Sequence, residues 1–164
     1  MRDEPSLCCY WVQPGRLLAG EYPGSANRDD ARRRVSSLLN AGVTFVVDLT
    51  EEGELPPYSD FLGAVPSRRL SIRDFTAPTA ADMARILDAI DEALARGHVV
   101  YVHCWGGTGR TGTVVACHLV RHGLQPGDAL SRVTELLADT PKAGRTSPET
   151  ADQVALVRSW WPGR

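Results

Sequence analysis

Lysine is nearly missing from this chain: of 18 basic residues only Lys142 is a lysine, and the remainder are arginines. Nor is there an excess of either charge, since 20 acidic residues leave a formal net charge of -2 and a pI near 6.1. Without a basic field the chain lacks the electrostatic footprint of nucleic-acid or anionic-membrane binding, so neither is expected as a partner. Cysteine is scarce as well. Cys8, Cys9, Cys104 and Cys117 are too few for a disulfide scaffold in 164 residues, and their spacing matches neither a C-x-x-C redox pair nor a zinc pattern. No apolar run reaches the ~18 residues of a membrane span. The opening Met1-Arg2-Asp3-Glu4-Pro5 is acidic and carries no apolar stretch of the kind an export signal needs. Repeats and low-complexity stretches are also missing. Together these absences predict a soluble, cytoplasmic protein with reduced thiols, acting as a monomer.

What remains is an ordinary globular composition, with 43% hydrophobic and 23% charged residues. At ~150 residues per domain the chain is one domain, with its core in residues 10 to 161. Tyr10 to Val12 and Arg16 to Ala19 flank a Pro14-Gly15 turn and predict a hairpin. From Asn27, a candidate N-cap, to Gly42, apolar Ala31, Val35, Leu38 and Leu39 recur with a helical period. Val43 to Leu49 is β-branched and apolar, as in a buried strand, and Arg69 to Ile72 is a second strand candidate. Thr79 can cap a helix whose Met83, Ile86, Leu87, Ile90 and Leu94 share a face before Gly97 stops it. A strand is expected over His98 to His103, then a helix from Gly109 to His122 that is apolar nearly all round. Two further helices open at Pro126 and at Pro148, the latter capped by Ser147 with Pro148 as its first residue. Strands alternating with helices imply an α/β fold: a central, mostly parallel sheet flanked by helices.

The chemistry is concentrated in His103-Cys104-Trp105-Gly106-Gly107-Thr108-Gly109-Arg110-Thr111-Gly112. Glycines let successive backbone N–H groups turn toward one point, and the N-terminus of the following helix adds its positive end. Such a loop cradles a phosphate-sized dianion. Cys104 sits among those donors and near Arg110, surroundings that favour the thiolate at neutral pH. Arg110 offers a planar fork matched to phosphoryl oxygens. Thiolate attack on phosphorus would give a phosphocysteine that water then hydrolyses. Thr111 can donate its hydroxyl to the thiolate as leaving group in that second step, and His103 orients the loop through its ring nitrogens. Arg110 and the backbone amides of Trp105, Gly106, Gly107, Thr108 and Gly109 meet the phosphoryl charge, so neither a metal nor a cofactor is expected.

The string His-Cys-x5-Arg-Thr at 103 to 111 resembles the signature of the cysteine-dependent protein phosphatases, the tyrosine and dual-specificity superfamily. Thr50-Glu51-Glu52-Gly53-Glu54-Leu55 with Tyr58, Ile72-Arg73-Asp74 with Pro78, and His103 to Gly107 are similar to the cyclin-dependent-kinase-associated branch. The resemblance implies a dual-specificity-phosphatase-like fold and a phosphorylated protein as substrate, carrying phosphotyrosine or phosphoserine/threonine. It further implies that Asp74 is the general acid for the leaving oxygen, against the plainer reading of a solvated loop carboxylate. Asp60 lies too far upstream for that role, and Asp82 reads better as part of a cap. By the same resemblance Glu54 would hold the fork of Arg110, or else belong to a solvated acidic turn. Gln153 stands where related enzymes position the hydrolytic water, or else on exposed helix surface.

Other readings of the same residues fare less well. Gly107 to Gly112 fits G-x-G-x-x-G, but residues 119 to 139 offer no second strand for the acidic residue a dinucleotide site needs. A phosphate-binding pseudoenzyme would typically have lost the nucleophile or the arginine, and a sulfurtransferase loop would not end in Arg-Thr. Phosphatases of inositol phosphates or other small esters keep the same loop and stay open as alternatives. The uncharged residues between Cys104 and Arg110 favour phosphoproteins over polyphosphoinositides. Elsewhere the expectations are structural: Arg32-Arg33-Arg34 on a solvated helix face, Cys117 in the core, and Trp160 and Trp161 sealing it with Val154 and Val157.

Overall fold

The computed structural model describes residues 4–164, so the first three residues of the acidic opening lie outside it. Strands β1 (Cys9–Gln13), β2 (Leu17–Gly20), β3 (Phe45–Asp48), β4 (Ser67–Arg69) and β5 (Val100–His103) form one sheet in the order β1-β2-β5-β3-β4. Only the β1/β2 hairpin is antiparallel; β2, β5, β3 and β4 run parallel. Helices α1 (Arg28–Asn40), α2 (Ala80–Ala95), α3 (Arg110–Arg121), α4 (Pro126–Ala138) and α5 (Ala151–Ser159) complete the α/β fold, with a short 3-10 turn at Ser59–Phe61.

Alternate residues of the strands serve two cores, because side chains change face at every step along a strand. Leu17, Ala19, Val47, Val100 and Val102 pack with α2, α3, α4 and the end of α5. Leu18, Val46 and Tyr101 face the other way, against Val35 and Leu38 of α1 and against Tyr58 and Leu62. Both sheet faces are thus covered, as a parallel sheet requires. The middle strand β5 lies between β2 and β3, and ligands of open α/β sheets bind beyond the carboxyl ends of strands where the chain order switches. Cys104 follows that end directly.

Several local expectations hold. Asn27 caps α1 by accepting from the Asp30 N–H, Thr79 caps α2 through Asp82, and Pro126 opens α4. Cys117 is buried and apolar in its surroundings, which push its thiol up to about 12. Four expectations are corrected. The edge strand is Ser67–Arg69 rather than Arg69 to Ile72: beyond Arg69 the chain still donates from Leu70 and Ile72 to β3 and Leu49 but leaves the ladder as Ile72 turns into the core. Helix α5 is capped by Thr150, not Ser147, in a reciprocal capping box with Gln153. Arg34 is not solvated like its neighbours but reaches back to Glu21 at 3.1 Å and to the Tyr22 carbonyl at 2.6 Å. Trp160 seals the core, whereas Trp161 is 54% exposed with the Arg164 guanidinium 4.0 Å over its ring. No helix among the described residues is long and apolar enough to cross a membrane.

Candidate active site

The loop that follows β5 is shaped from outside. The Trp105 carbonyl accepts from the Tyr22 N–H at 2.9 Å, the Gly106 carbonyl from the Lys142 ammonium, and the Thr108 carbonyl from the buried Ser147 hydroxyl at 2.5 Å. In a trans peptide the N–H points opposite to the C=O. Tying these carbonyls outward therefore turns the N–H groups of Gly106, Gly107 and Gly109 inward. One of them already has its partner, since the Gly107 N–H donates to Cys104 Sγ at 3.3 Å. Gly107 adopts φ +78°, and a Cβ there would lie 2.6 Å from the Gly20 carbonyl carbon, so no other residue fits between the loop and the end of β2. Lys142 is held by Glu21 at 2.9 Å, and the Thr108 hydroxyl donates to Glu149. At the start of α3, Gly109 supplies no side-chain cap, which leaves first-turn N–H groups facing the same hollow.

His103 is fully buried beneath this loop. Its Nδ1 lies 2.9 Å from the Cys104 carbonyl and its Nε2 2.5 Å from the Tyr58 hydroxyl. A carbonyl can only accept, so Nδ1 carries the proton and Nε2 accepts from Tyr58. Burial lowers the proton affinity of the ring, against the opposing pull of Asp48, and keeps it neutral in that tautomer. These contacts fix the ring between the loop and Tyr58.

Arg110 opens α3 with its side chain 1% exposed. Glu54 grips it with both oxygens, at 2.7 Å from Nη2 and 2.9 Å from Nη1, and the Ile72 carbonyl accepts from Nη1 at 3.0 Å. The Asp74 carboxylate stands 3.3 Å from Nη2. Glu54 is therefore part of the site rather than of a solvated turn. Glu54 occupies the Nη1/Nη2 edge, and the Nε–H is left buried with no partner among the described residues. An oriented, desolvated and unpaired donor is costly unless a ligand completes it.

Asp74 sits on a turn that is itself constrained. Its carboxylate accepts from the Phe75 N–H at 2.9 Å, and Phe75 takes φ 58°, unusual for a bulky residue. Thr76 closes the turn by donating from both its N–H and its hydroxyl to the Arg73 carbonyl. Gln153 then fastens it: Nε2 donates to the Thr76 carbonyl at 3.2 Å, while Oε1 accepts from the Glu149 and Thr150 N–H groups. Gln153 is thus fully buried, not on exposed helix surface, with both ends of its amide engaged. The hydroxyl–thiolate contact expected of Thr111 is not formed, and its Oγ1 is buried without a partner among the described residues. Asp60 lies on the short 3-10 turn, and Asp82 donates its N–H to its cap, so neither competes with Asp74. Sequence reasoning missed Ser147, Glu149 and Lys142 as supports of the loop. Ser147 was legible only as a cap residue, Lys142 only as the lone lysine, and Glu149 carried no signal of its own.

A family model described as "Swiss Army Knife protein, DSP-PTPase phosphatase domain" matches residues 6–160. The chain belongs to this family of cysteine-based phosphatases. It is 35% identical over 109 residues to the phosphatidylglycerophosphate phosphatase PTPMT2 of Arabidopsis thaliana, covering 65% of this chain and 45% of that protein. Among solved structures, Tk-PTP in its active form superposes with a TM-score of 0.77 at 28% identity, covering 92% of this chain and 94% of the other. The kinase associated phosphatase KAP, carrying serine for its catalytic cysteine, shares the fold with a TM-score of 0.74 at 19% identity, over 96% of this chain and 94% of its own. The chain spans less than half the length of the curated relatives it matches.

Hydrogen bonds from Arg110 hold the Glu54 carboxyl below the usual carboxylate range. A carboxyl whose folded value is depressed contributes stability in full above its ordinary value and loses it as pH falls through the depressed one. Glu54→Gln should therefore flatten the acid limb of stability against pH, measured by urea unfolding from about pH 7 to 3. With the fork no longer clamped, kcat/KM should fall by ~10²-fold at neutral pH. An unchanged acid limb would show that the pair does not form in solution.

Proposed function

We propose that the chain hydrolyses phosphomonoesters of proteins through a phosphocysteine intermediate, without a metal in the reaction. The observation that carries this reading is the unpaired, buried Nε–H of Arg110, set beside a loop whose Gly107 N–H donates to Cys104 Sγ. In the first step the Cys104 thiolate attacks phosphorus, the P–O bond breaks, and Asp74 gives its proton to the departing oxygen. In the second, water attacks the same phosphorus, Asp74 takes the proton of that water, and the P–S bond breaks to release phosphate and restore the thiolate. Arg110 and the amides of Trp105 to Gly109 neutralise the equatorial oxygens throughout. Thr111 is assigned to the leaving thiolate, through a rotation of the hydroxyl that its present lack of a partner leaves open. His103 and Glu54 are positioning groups for the loop and the arginine. Gln153 positions the turn that carries Asp74.

Substrate class is read from what flanks the cradle. No cation other than Arg110 lies between Cys104 and Thr111, and Lys142 is spent on the Gly106 carbonyl and Glu21. Phe75 and Trp105, neighbours of the acid and the nucleophile, are 66% and 58% exposed, as suits apolar contact with a peptide or with the ring of a phosphotyrosine. A second reading has specific support: two Arabidopsis relatives are named for a lipid phosphomonoester. One panel separates the two. A phosphotyrosyl or phosphothreonyl peptide should be turned over with higher kcat/KM than phosphatidylglycerophosphate, inositol phosphates or phosphoinositides, and a faster lipid or inositol ester would overturn the protein assignment. In the same assays Cys104→Ser should abolish turnover yet retain vanadate binding, and EDTA should leave turnover unchanged.

Asp74→Asn should slow an alkyl ester such as a phosphothreonyl peptide by ~10²–10⁴-fold, and an activated aryl phosphate by much less, because a proton donor matters most for a basic leaving oxygen. Steady-state rates on the two substrates check this. Equal losses would make Asp74 a structural residue.

A further inference from the structure

At the far end of α3 from the cradle, three potential ligands converge without any role in the hydrolysis. His118 on α3 and His122, the residue that caps its C-terminus, are one helical turn apart, and Asp91 faces them from α2. One ligand atom from each lies within 4.8 Å of the others: Asp91 Oδ1 is 2.9 Å from His122 Nε2 and 3.6 Å from His118 Nδ1. Their side chains border a cavity of about 620 Å³ shared with Val12, Leu94 and Leu119. His118 is only 6% exposed, and its Nδ1 has no hydrogen-bond partner among the described residues although it is aimed at the carboxylate. As with Arg110 Nε, a buried polar atom in that condition marks a place where a ligand is wanted.

We propose that Asp91, His118 and His122 bind a divalent transition-metal ion of the zinc class, joining α2 to α3 at a site separate from the phosphatase centre. Two imidazoles and a carboxylate are a donor set such ions take, with a fourth position open to water from the cavity. Metal–ligand distances of ~2.0–2.1 Å in a tetrahedron place ligand atoms about 3.3 Å apart, a value bracketed by the 2.9 and 3.6 Å found here. Each ring offers its lone pair once its proton sits on the other nitrogen, and burial favours the neutral form of His118 that a metal requires. The carboxylate is already oriented for the task. Arg121 donates to Asp91 Oδ2 at 3.0 Å and leaves Oδ1 to the imidazoles, while Asp88 offsets the arginine charge at 2.8 Å. His118 lies eight residues along α3 from Arg110, about 12 Å of rise, so the ion would brace the helix pair and take no part in phosphoryl transfer.

The test uses Zn²⁺ and Co²⁺ alone, titrated into full-length Cys104→Ser protein so that the reactive thiolate does not compete. One equivalent should bind at micromolar metal, with cobalt showing visible ligand-field bands but no sulfur-to-metal charge transfer. At ~100-fold excess over Kd the Tm should rise by about 5–10 °C. His122→Ala, at an exposed position, should fold normally and lose both that equivalent and the Tm rise, and Asp91→Asn should weaken them. Absence of binding, a sulfur–cobalt band, or an undiminished Tm rise in His122→Ala would each overturn the site.

Discussion

A guanidinium taken almost wholly out of water governs the architecture of this protein's carboxyl-end face. Arg110 could not be buried at the start of α3 unless its charge were met, and the desolvation of an unpaired cation costs several kcal/mol. The chain meets it from two separate connections: Glu54 between β3 and β4, and the Ile72 carbonyl with Asp74 between β4 and α2. Loops that share no local sequence are thereby drawn to one point. The same arrangement leaves one donor, Nε–H, without an acceptor among the described residues, and so open to a ligand.

Around that point the loop from Cys104 to Gly109 achieves its donor geometry by having its carbonyls held elsewhere. Tyr22 after β2, and Lys142 and Ser147 in the connection between α4 and α5, supply those holds from two distant parts of the chain. Preorganised donors need no reorientation when charge develops, which is where such sites gain most of their rate. The Asp74 turn is constrained in a comparable way, with Phe75 in left-handed conformation and Gln153 anchoring Thr76. Two tasks meet in Gln153, because the capping box that starts α5 uses the same side chain that fastens the turn carrying Asp74.

Those features that depend on neighbours in sequence were legible in it. Asn27, Thr79 and Pro126 mark helix starts through bonds or constraints within a single turn, and the glycine spacing of the phosphate loop is a local backbone requirement. The mostly parallel sheet followed from strands alternating with helices. What escaped depends on partners far along the chain. Glu54 and Arg110 are 56 residues apart, and nothing local separates a clamp from a solvated acidic turn. Ser147 resembled a cap because its hydroxyl precedes a proline and a helix, yet that hydroxyl serves a carbonyl 39 residues away. The edge strand was misplaced because an exposed three-residue strand leaves almost no hydrophobic pattern. His118 and His122, one turn apart at the end of a buried helix, drew no notice without the acid that α2 brings to them.

The central claim is that the phosphoryl group passes through Cys104. Acid-quenching the enzyme within its first turnovers of a phosphotyrosyl peptide, then locating the phosphate by mass spectrometry, tests it most directly. The account predicts a thiophosphate ester on Cys104 that forms no faster than the dephosphorylated tyrosyl peptide is released and disappears when substrate is exhausted. Turnover with no phosphoenzyme under any quench condition, or with phosphate found on another residue such as His103, would contradict it.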